Sequence, residues 1–171
     1  MTTCPVIETE RLTLRPHRLE DFEAFRAFYA SDRARYVGGE ISLTRLWYGF
    51  CAEVAYWKLQ GFGMWAVDRR EDGAFIGQVG LQHPPFFAER ELGWILFEGF
   101  EGHGYALEAA SAARDYAFET LGWDTFVSYI DGENERSIAL AKRLGAVLDP
   151  AGKTHHPDDV VYRHRREAVA A

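Results

Sequence analysis

The sequence predicts an α/β fold, a mixed sheet with helices on its faces, in the order β-α-α-β-β-β-α-β-α-β-β. Three observations predict it: strand-like segments follow one another in the middle of the chain, helical segments flank them, and helix and strand then alternate. Consecutive strands pair antiparallel and a β-α-β unit adds a parallel strand, so the sheet contains both arrangements. A chain of 171 residues, 47% of them apolar, is expected to form one domain over residues 1–171.

One strand and two helices open the chain. Leu12 and Leu14 alternate with polar residues, which is the period of a half-buried strand. Apolar residues then recur every three or four positions over residues 19–31 and again over residues 42–60, the period of amphipathic helices. Serine at the start of the second helix is a favoured N-cap, and Gly61 favours termination there.

Three neighbouring strands are predicted next, over residues 64–67, 75–81 and 90–97. The Glu-Asp-Gly segment at residues 71–73 joins the first two into a hairpin. Glycines within these strands indicate either a bulge or a place where another group approaches the backbone, and the sequence leaves both open.

The second half alternates helices and strands. An alanine-rich segment from Tyr105 to Thr120 follows a glycine-bearing loop and predicts a long helix. The remaining predicted elements are a strand over residues 125–130, a helix from Asn134 to Leu144 ended by Gly145, and two strands over residues 146–148 and 160–162.

The chain carries 19 Lys and Arg against 26 Asp and Glu, a formal net charge of −7, which argues against nucleic acid and anionic membranes as partners. The first residues lack a basic signal-peptide segment, and no run approaches the roughly 18 apolar residues of a membrane span. We therefore expect a soluble, cytoplasmic protein. Cys4 and Cys51 are expected to be reduced, with Cys51 buried, and the basic run at residues 163–166 is expected to form a solvated strand edge.

The loop before the alanine-rich helix is a predicted anion site. The first N–H groups of a helix lack partners and the helix dipole is positive there, which suits a phosphate. Gly102 and Gly104, on either side of His103, let these amides approach a pyrophosphate. A P-loop is excluded because the segment has no lysine, and the dinucleotide pattern has Leu107 where its last glycine belongs. The one remaining feature that favours hydride transfer is Asp124, which weakly matches the ribose-binding acid of dinucleotide-binding proteins.

Separated motifs occur in the order and in the elements of a known enzyme family. These motifs are Glu8–Pro16, Glu91–Trp94, Gly102–Ala109, Asn134–Ile138 and Lys142–Gly145. Through them nearly the whole chain resembles the GCN5-related N-acetyltransferases (GNAT), and within them the ribosomal-protein-alanine N-acetyltransferase-like (RimJ/RimL-type) branch. The resemblance implies a splayed mixed sheet, acetyl-CoA as co-substrate in the split, and N-acetyltransferase activity.

The resemblance also implies how acetyl-CoA is held. Its pyrophosphate is expected on the glycine-bearing loop, at Glu101, Gly102, His103, Gly104, Tyr105 and Ala106. A backbone N–H of the preceding strand is expected to polarise the thioester carbonyl, and it is contributed by Ile95, Leu96 or Phe97. The family has Gln or Arg where this chain has Glu101, whose charge would repel a pyrophosphate. We therefore expect Glu101 to point to solvent.

The Asn-x-x-Ser pattern of the family falls on Asn134 and Ser137. It implies that Asn134 lies along the pantetheine arm and that Ser137 lies near the sulfur as a proton donor, although an N-cap is the structural alternative for Asn134. Many relatives have a tyrosine acid four residues after this serine, where the chain has Ala141. Tyr129, on the preceding strand, is the fallback.

Glu91 is the predicted general base, provided that burial raises its pKa toward neutrality. Two alternatives stay open. Glu91 could be a solvated carboxylate at a strand end, and His83, also at a strand end, has a suitable intrinsic pKa.

The predicted acceptor is a small-molecule or peptide amine, and the net negative charge favours a cationic one. Arg35, Tyr36 and Trp47, with Arg33, are predicted to line its pocket, because the loop between the first two helices matches the Arg-Tyr-x-Gly-Gly pattern of the branch. A CoA-binding regulatory domain without turnover is the alternative function. No metal is predicted, since residues 155–159 are expected to form a solvated turn, and we expect a monomer or a homodimer.

Overall fold

The computed structural model describes residues 3–166, so the ends of the predicted domain, residues 1–2 and 167–171, lie outside the described residues. The strands are β1 (Ile7–Glu8), β2 (Leu12–Arg15), β3 (Met64–Arg69), β4 (Phe75–Gln82), β5 (Glu91–Leu96), β6 (Thr125–Asp131), β7 (Val147–Leu148) and β8 (Asp159–Arg165). The helices are α1 (Phe22–Tyr29), α2 (Leu43–Gln60), α3 (Tyr105–Asp115) and α4 (Glu135–Arg143), and a π-helical turn (Tyr116–Thr120) extends α3. Each predicted element is present, and β1 is additional.

The strands form an eight-stranded sheet in the order β1-β2-β3-β4-β5-β6-β8-β7. Neighbouring strands are antiparallel except β5 and β6, which are parallel. The β5–β6 pair is joined only at Glu91 and Val127, so the two strands separate beyond this point. The predicted mixed sheet is therefore confirmed, and it has a split that opens toward the C-terminal end of β5.

Helices cover both faces of the sheet. Leu92 and Leu96 of β5 pack in the core cluster that contains α3, and Trp94, between them, contacts α4. The alternate residues Ile95 and Phe97 pack against α1, which in turn packs on α2. Because successive side chains of a strand point to opposite faces, the sheet has an α1/α2 face and an α3/α4 face.

The ends of α2 follow from local sequence, as predicted. Ser42 Oγ accepts a hydrogen bond from Arg45 N at 3.2 Å and caps the first turn. Gly61 has a φ of +80°, the left-handed conformation that ends a helix, and glycine adopts it without steric cost. None of the helices in the described part of the chain has the length and apolar character of a membrane span.

Two expectations about the surface are wrong, one of them only in part. In the basic run, Arg163 is not on a strand edge, because β8 pairs there with β6 on one side and with β7 on the other, whereas Arg165 and Arg166 are exposed as expected. Arg163 forms ion pairs with Glu89 and Asp149, each at 2.7 Å. His164 is 1% exposed, and burial lowers its pKa to about 4. Cys51 is exposed, because it lies on the side of α2 that faces away from the sheet.

Candidate active site

A groove with a volume of about 1040 Å³ occupies the split between β5 and β6. Its walls come from β5, the glycine-bearing loop, the first turn of α3, one side of α4 along its length, and the 3₁₀ turn Asp32–Val37. The predicted site residues that line it are Arg35, Tyr36, Ile95, Leu96, Glu101, Gly102, Gly104, Tyr105, Ala106, Asn134 and Ser137. The structure therefore brings most of the predicted cofactor site together around one opening.

The glycine-bearing loop ends in an uncapped helix start. Gly102 and Gly104 have φ of +79° and +81°, a conformation that favours glycine. The first bond of α3 joins Glu108 N to Gly104 O, so the amides of the first three helical residues, which begin at Tyr105, precede the helical ladder. No side chain of the described residues caps them. The predicted anion site is thus present in its geometry.

Side chains beside β2 fix this helix start. Thr9 Oγ1 and Arg11 Nε donate to the Glu108 carboxylate at 2.6 and 2.7 Å. Arg11 Nη1 donates to the backbone oxygen of His103 at 2.9 Å, and its guanidinium lies 4.8 Å from the ring centroid of Tyr105. The predicted site residue His103 is exposed and is not among the groove-lining residues.

The strand register decides which amides of β5 face the split. Phe97 N donates to Ile76 O on the β4 side at 2.9 Å, whereas Leu96 O accepts from Arg33 Nη2 and Leu92 O accepts from Ser128 Oγ on the other side. Backbone groups alternate sides along a strand, so residues 92, 94 and 96 present their amides to the split. Of the three predicted residues, Leu96 therefore presents its N–H to the split, whereas the N–H groups of Ile95 and Phe97 face β4.

Phe97 also does not line the groove. Its side chain is 8% exposed and packs with Phe25 and Phe28 of α1, at centroid distances of 5.7 and 6.0 Å. The predicted cofactor-lining stretch is therefore shifted by one residue, to Trp94, Ile95 and Leu96.

Ser137 lies on the α3/α4 face of the split. Its amide donates to Asn134 Oδ1 at 3.2 Å, so Asn134 is the N-cap of α4, and Asn134 also lines the groove. Trp94 Nε1 donates to Ser137 Oγ at 3.2 Å. Because the serine oxygen accepts this bond, its own proton is free to point elsewhere in the groove.

Glu91 lies on the opposite, α1/α2 face, at the point where the split begins. It is 7% exposed, so the alternative of a solvated carboxylate is excluded. Gln82 Nε2 donates to Glu91 Oε2 at 2.6 Å. Burial raises the pKa of Glu91 to about 7, with the nearby Asp159 adding to the rise. This is the range in which a carboxylate can act as a base at neutral pH.

Glu101 does not point to solvent, contrary to expectation. Its carboxylate forms an ion pair with Arg33 and accepts from Gly99 N at 2.9 Å. Arg136 Nη1 lies 3.9 Å from the same carboxylate. The Glu101 carboxylate lies in the wall of the groove because the positive charges of Arg33 and Arg136 balance its charge there.

The remaining predicted residues divide between the groove and its surroundings. Arg35 and Tyr36 line it, with the guanidinium 4.4 Å from the phenol centroid. Trp47 is 39% exposed and packs on Phe22, at a centroid distance of 5.1 Å, outside the groove lining. Tyr129, the fallback acid, is likewise outside it, and its hydroxyl accepts from a backbone amide, Glu89 N, at 3.1 Å.

Sequence reasoning missed three participants in this region. Arg33 was expected only in the acceptor pocket, and Trp94 only as part of a motif; their contacts join residues far apart in the chain. Glu53 on α2 was not singled out. Its signal was available, because the buried residues Leu46, Phe50 and Trp57 recur at helical spacing and Glu53 continues their side of the helix.

The profile described as "Acetyltransferase (GNAT) domain" matches residues 11–147. The chain belongs to the GNAT acetyltransferase family. It is an acetyltransferase, as the resemblance implied. The matched span contains β5, the glycine-bearing loop, α3 and α4.

This GNAT acetyltransferase is similar to an acetyltransferase from Agrobacterium tumefaciens str. C58, whose crystal structure has a TM-score of 0.93 and 49% identity, covering 96% of each chain. The uncharacterized N-acetyltransferase YoaA of Bacillus subtilis (strain 168) is 29% identical over 151 residues, 82% of each protein. The match to uncharacterized protein YkkB of the same organism, 32% identical over 87 residues, spans about half of each, 50% of this chain and 51% of YkkB.

The GNAT fold is also shared with a structure of lower identity. RimL, a ribosomal L7/L12 alpha-N-protein acetyltransferase in complex with coenzyme A, has a TM-score of 0.73 at 16% identity, covering 94% of this chain and 98% of RimL. At this identity the similarity concerns the fold, and the predicted GNAT sheet is confirmed.

Proposed function

We propose that this GNAT acetyltransferase transfers the acetyl group of acetyl-CoA to a primary amine by direct attack within a ternary complex. The acceptor is the amine of a small molecule or of a peptide N-terminus. The observation that carries the proposal is the uncapped start of α3, whose amides precede the helical ladder and open into the groove of the split. Such amides bind phosphate groups.

The charges around the loop suit a diphosphate. Arg11 is held beside the helix start by Glu108, and Arg33 pairs with Glu101. The ion pair removes the repulsion that Glu101 alone would exert on a pyrophosphate. Coenzyme A bound to RimL, a protein of the same fold, supports the same cofactor for this chain.

The thioester carbonyl is polarised by backbone N–H groups of β5. The amides of Trp94 and Leu96 are those that point into the split in the groove region. Fixed backbone dipoles stabilise a developing oxyanion without reorganisation, and the side chain at these positions matters little for this effect.

The two faces of the split supply the acid and the base. The amine approaches from the α1/α2 face, where Glu91 takes its proton directly or through a water molecule. The nitrogen forms the new bond to the acetyl carbon and the carbon–sulfur bond breaks. On the α3/α4 face, Ser137 Oγ gives its proton to the departing thiolate and recovers one from solvent in the groove. Trp94 Nε1 holds the serine oxygen in place for this step.

A sensor domain that binds CoA without turnover is the competing function. It was suggested by Glu101 and by the missing tyrosine acid at Ala141. The Arg33–Glu101 ion pair weakens the first reason, and Ser137 beside the groove offers an acid in place of the tyrosine.

The test combines cofactor binding with turnover. Gly104→Ala places a Cβ at the loop and imposes strain at φ +81°, whereas Gly145→Ala imposes the same strain at φ +84° after α4, where a Cβ meets nothing within 4 Å. We expect calorimetry to show CoA binding weakened at least about tenfold by Gly104→Ala and unchanged by Gly145→Ala. Equal affinities would contradict the loop assignment.

Turnover separates an enzyme from a sensor. Release of free CoA thiol from acetyl-CoA should depend on an added amine, with stoichiometric acetylation of that amine by mass spectrometry. Cofactor binding without amine-dependent thiol release, across small amines and N-terminal peptides, would favour the sensor.

A further inference from the structure

A carboxylic acid occupies a sheet-facing position of α2. Leu46, Phe50 and Trp57 are the buried residues of this helix, and their spacing places Glu53 on the same side. Val54, next to it, is 48% exposed. Folding alone favours the reverse order, with the apolar side chain toward the sheet and the acid toward water.

The sheet opposite carries a polar patch. Directly paired residues of neighbouring strands share a face. The residues of this patch, on the α1/α2 face, are Gln78, Gly80, Gln82, Glu91 and Gly93. A Cβ on Gly93 would lie 3.6 Å from Gln82 Nε2 and 3.8 Å from the Glu91 carboxyl carbon, so both groups cover this glycine. Burial raises the pKa of Glu53 to about 8, and the charge of Glu91 adds to the rise.

Oxygens at this patch lack donors. Gln78 is 6% exposed, and its Oε1 has no hydrogen-bond partner within residues 3–166. The same holds for Glu53 Oε2 and for Gln60 Oε1, two turns further along the same side of α2. The two glutamine oxygens are acceptors, Glu53 Oε2 is one when its carboxyl is ionised, and buried acceptors are normally satisfied. The patch is therefore short of N–H donors and, beside Glu53 and Glu91, of positive charge.

The patch adjoins the groove along β5, although its own residues are not in the groove lining. Glu91 is the last residue of β5 that pairs with β6 before the strands separate. Ile95, two positions beyond Gly93 on the same face, lines the groove. A molecule that reaches the thioester from the α1/α2 face therefore passes beside the patch.

We infer that the polar patch binds the second nitrogen of an aliphatic diamine acceptor, with Glu53 and Gln78 as its partners and the reacting amine beside Glu91. The inference rests on the proposed function and adds the acceptor class to it. The reacting amine must be neutral, and its proton goes to Glu91. The other nitrogen stays an ammonium, whose three N–H donors match the unpaired oxygens of Glu53 and Gln78.

Three acceptors of equal chain length test the inference: 1,4-diaminobutane, 1-butylamine and 4-aminobutanoate, which end in an ammonium, a methyl and a carboxylate. With saturating acetyl-CoA and thiol detection, kcat/KM should be at least about tenfold higher for the diamine than for butylamine, and lowest for aminobutanoate. Glu53→Gln should reduce the diamine-to-butylamine ratio to below about threefold. Glu20→Gln, at an exposed position on a 3₁₀ turn, is the matched control and should keep the wild-type ratio.

Binding gives a second readout that does not need turnover. Titration of 1,4-diaminobutane into the CoA-saturated protein should show affinity that Glu53→Gln lowers at least about tenfold. A diamine preference retained by Glu53→Gln, or no preference in the wild type, overturns the inference while acetyl transfer to butylamine still supports the proposed function. Diamine binding that requires Glu53, without thiol release, supports the site and contradicts the proposed function.

Discussion

Glu91 is buried, it accepts a hydrogen bond from the neutral amide of Gln82, and it lies where the split begins. Its pKa is raised to about 7 because burial disfavours the charged form. Only the ionised carboxylate accepts a proton, so its contribution to the rate grows as the pH rises through 7 and is lost below it.

The ratio of wild-type to Glu91→Gln activity isolates this effect, because the ionisation of the acceptor amine is common to both proteins. We expect kcat to fall about 10²-fold or more in Glu91→Gln at pH 8, and the ratio of kcat/KM values to titrate with a midpoint near pH 7. His83→Gln removes the alternative base and should change kcat/KM less than about twofold. A ratio that stays flat from pH 5.5 to 9 would assign the base elsewhere.

Trp94 and Ser137 form a pair that a double-mutant cycle can test. Ser137→Ala should lower kcat about tenfold or more with little change in CoA affinity. Trp94→Phe keeps an aromatic ring but removes the indole N–H, and it should lower kcat about three- to tenfold. If Trp94 acts by positioning the serine, Trp94→Phe should have no further effect in the Ser137→Ala background. Additive losses would show that Trp94 acts only through packing.

At the candidate site, individual residues could be predicted from the sequence, but the contacts between them could not. Glu91 and Ser137 lie in motifs that carry the resemblance, so both were predicted. The choice among the β5 amides could not be read, because it depends on which side of the strand meets β4. The Arg33–Glu101 ion pair joins residues that are 68 positions apart, and no local pattern reports such a contact.

The 3₁₀ turn Asp32–Val37 is the element that closes one wall of the groove. Arg33 on this turn spans to Glu101 of the glycine-bearing loop and to the backbone oxygen of Leu96, 3.0 Å from Nη2. The turn thereby supplies the positive charge that the family places directly on the loop.

Charge rescue tests this assignment. Arg33→Gln leaves Glu101 without its main counterion beside the pyrophosphate, so the Kd for CoA should rise about five- to twentyfold at low salt. Adding Glu101→Gln removes the repulsive charge and should restore the Kd to within about threefold of wild type. Calorimetry at 50 and 500 mM salt should show the Arg33→Gln effect shrinking with ionic strength. A double variant as weak as Arg33→Gln alone would mean that Arg33 binds CoA directly.

Elements were predicted well where local chemistry sets them. Ser42 and Gly61 bound α2 as their residue types favour, and Asn134 caps α4. The two-residue strand β1 (Ile7–Glu8) was missed because it is too short to show a period. The position of β8 inside the sheet was missed because strand order is a tertiary property.

At the scale of the whole molecule, the split gives the sheet two chemically different faces. Ser137 and the glycine-bearing loop lie with α3 and α4, whereas Glu91 and Glu53 lie under α1 and α2. The carboxyl pair is held in a buried setting that disfavours its ionisation, so the acceptor side of the molecule lowers the stability of the fold at the pH at which the base is active.

The raised pKa values decide how the stability of the fold changes with pH. The folded-state pKa values of Glu53 and Glu91, about 8 and about 7, exceed the ordinary glutamate value of about 4.3. Stability from such groups is fully present below pH 4.3 and is lost as the pH rises through 7 and 8. His164 acts oppositely: its pKa of about 4 means that stability is lost as the pH falls from about 6.5.

Glu53→Gln separates these contributions, because glutamine resembles the neutral acid at every pH. Its Tm should exceed that of the wild type at pH 9 by about 2–6 °C, which corresponds to about 1–2 kcal/mol in a protein of this size, and the difference should be much smaller at pH 5, where most of the stability is retained. Glu20→Gln should show no pH-dependent difference, since that carboxylate is exposed. Thermal unfolding by circular dichroism at both pH values measures the effect. A Tm gap of equal size at pH 5 and pH 9 would mean that Glu53 ionises normally in the folded protein, and the carboxyl pair would then impose no cost on the fold.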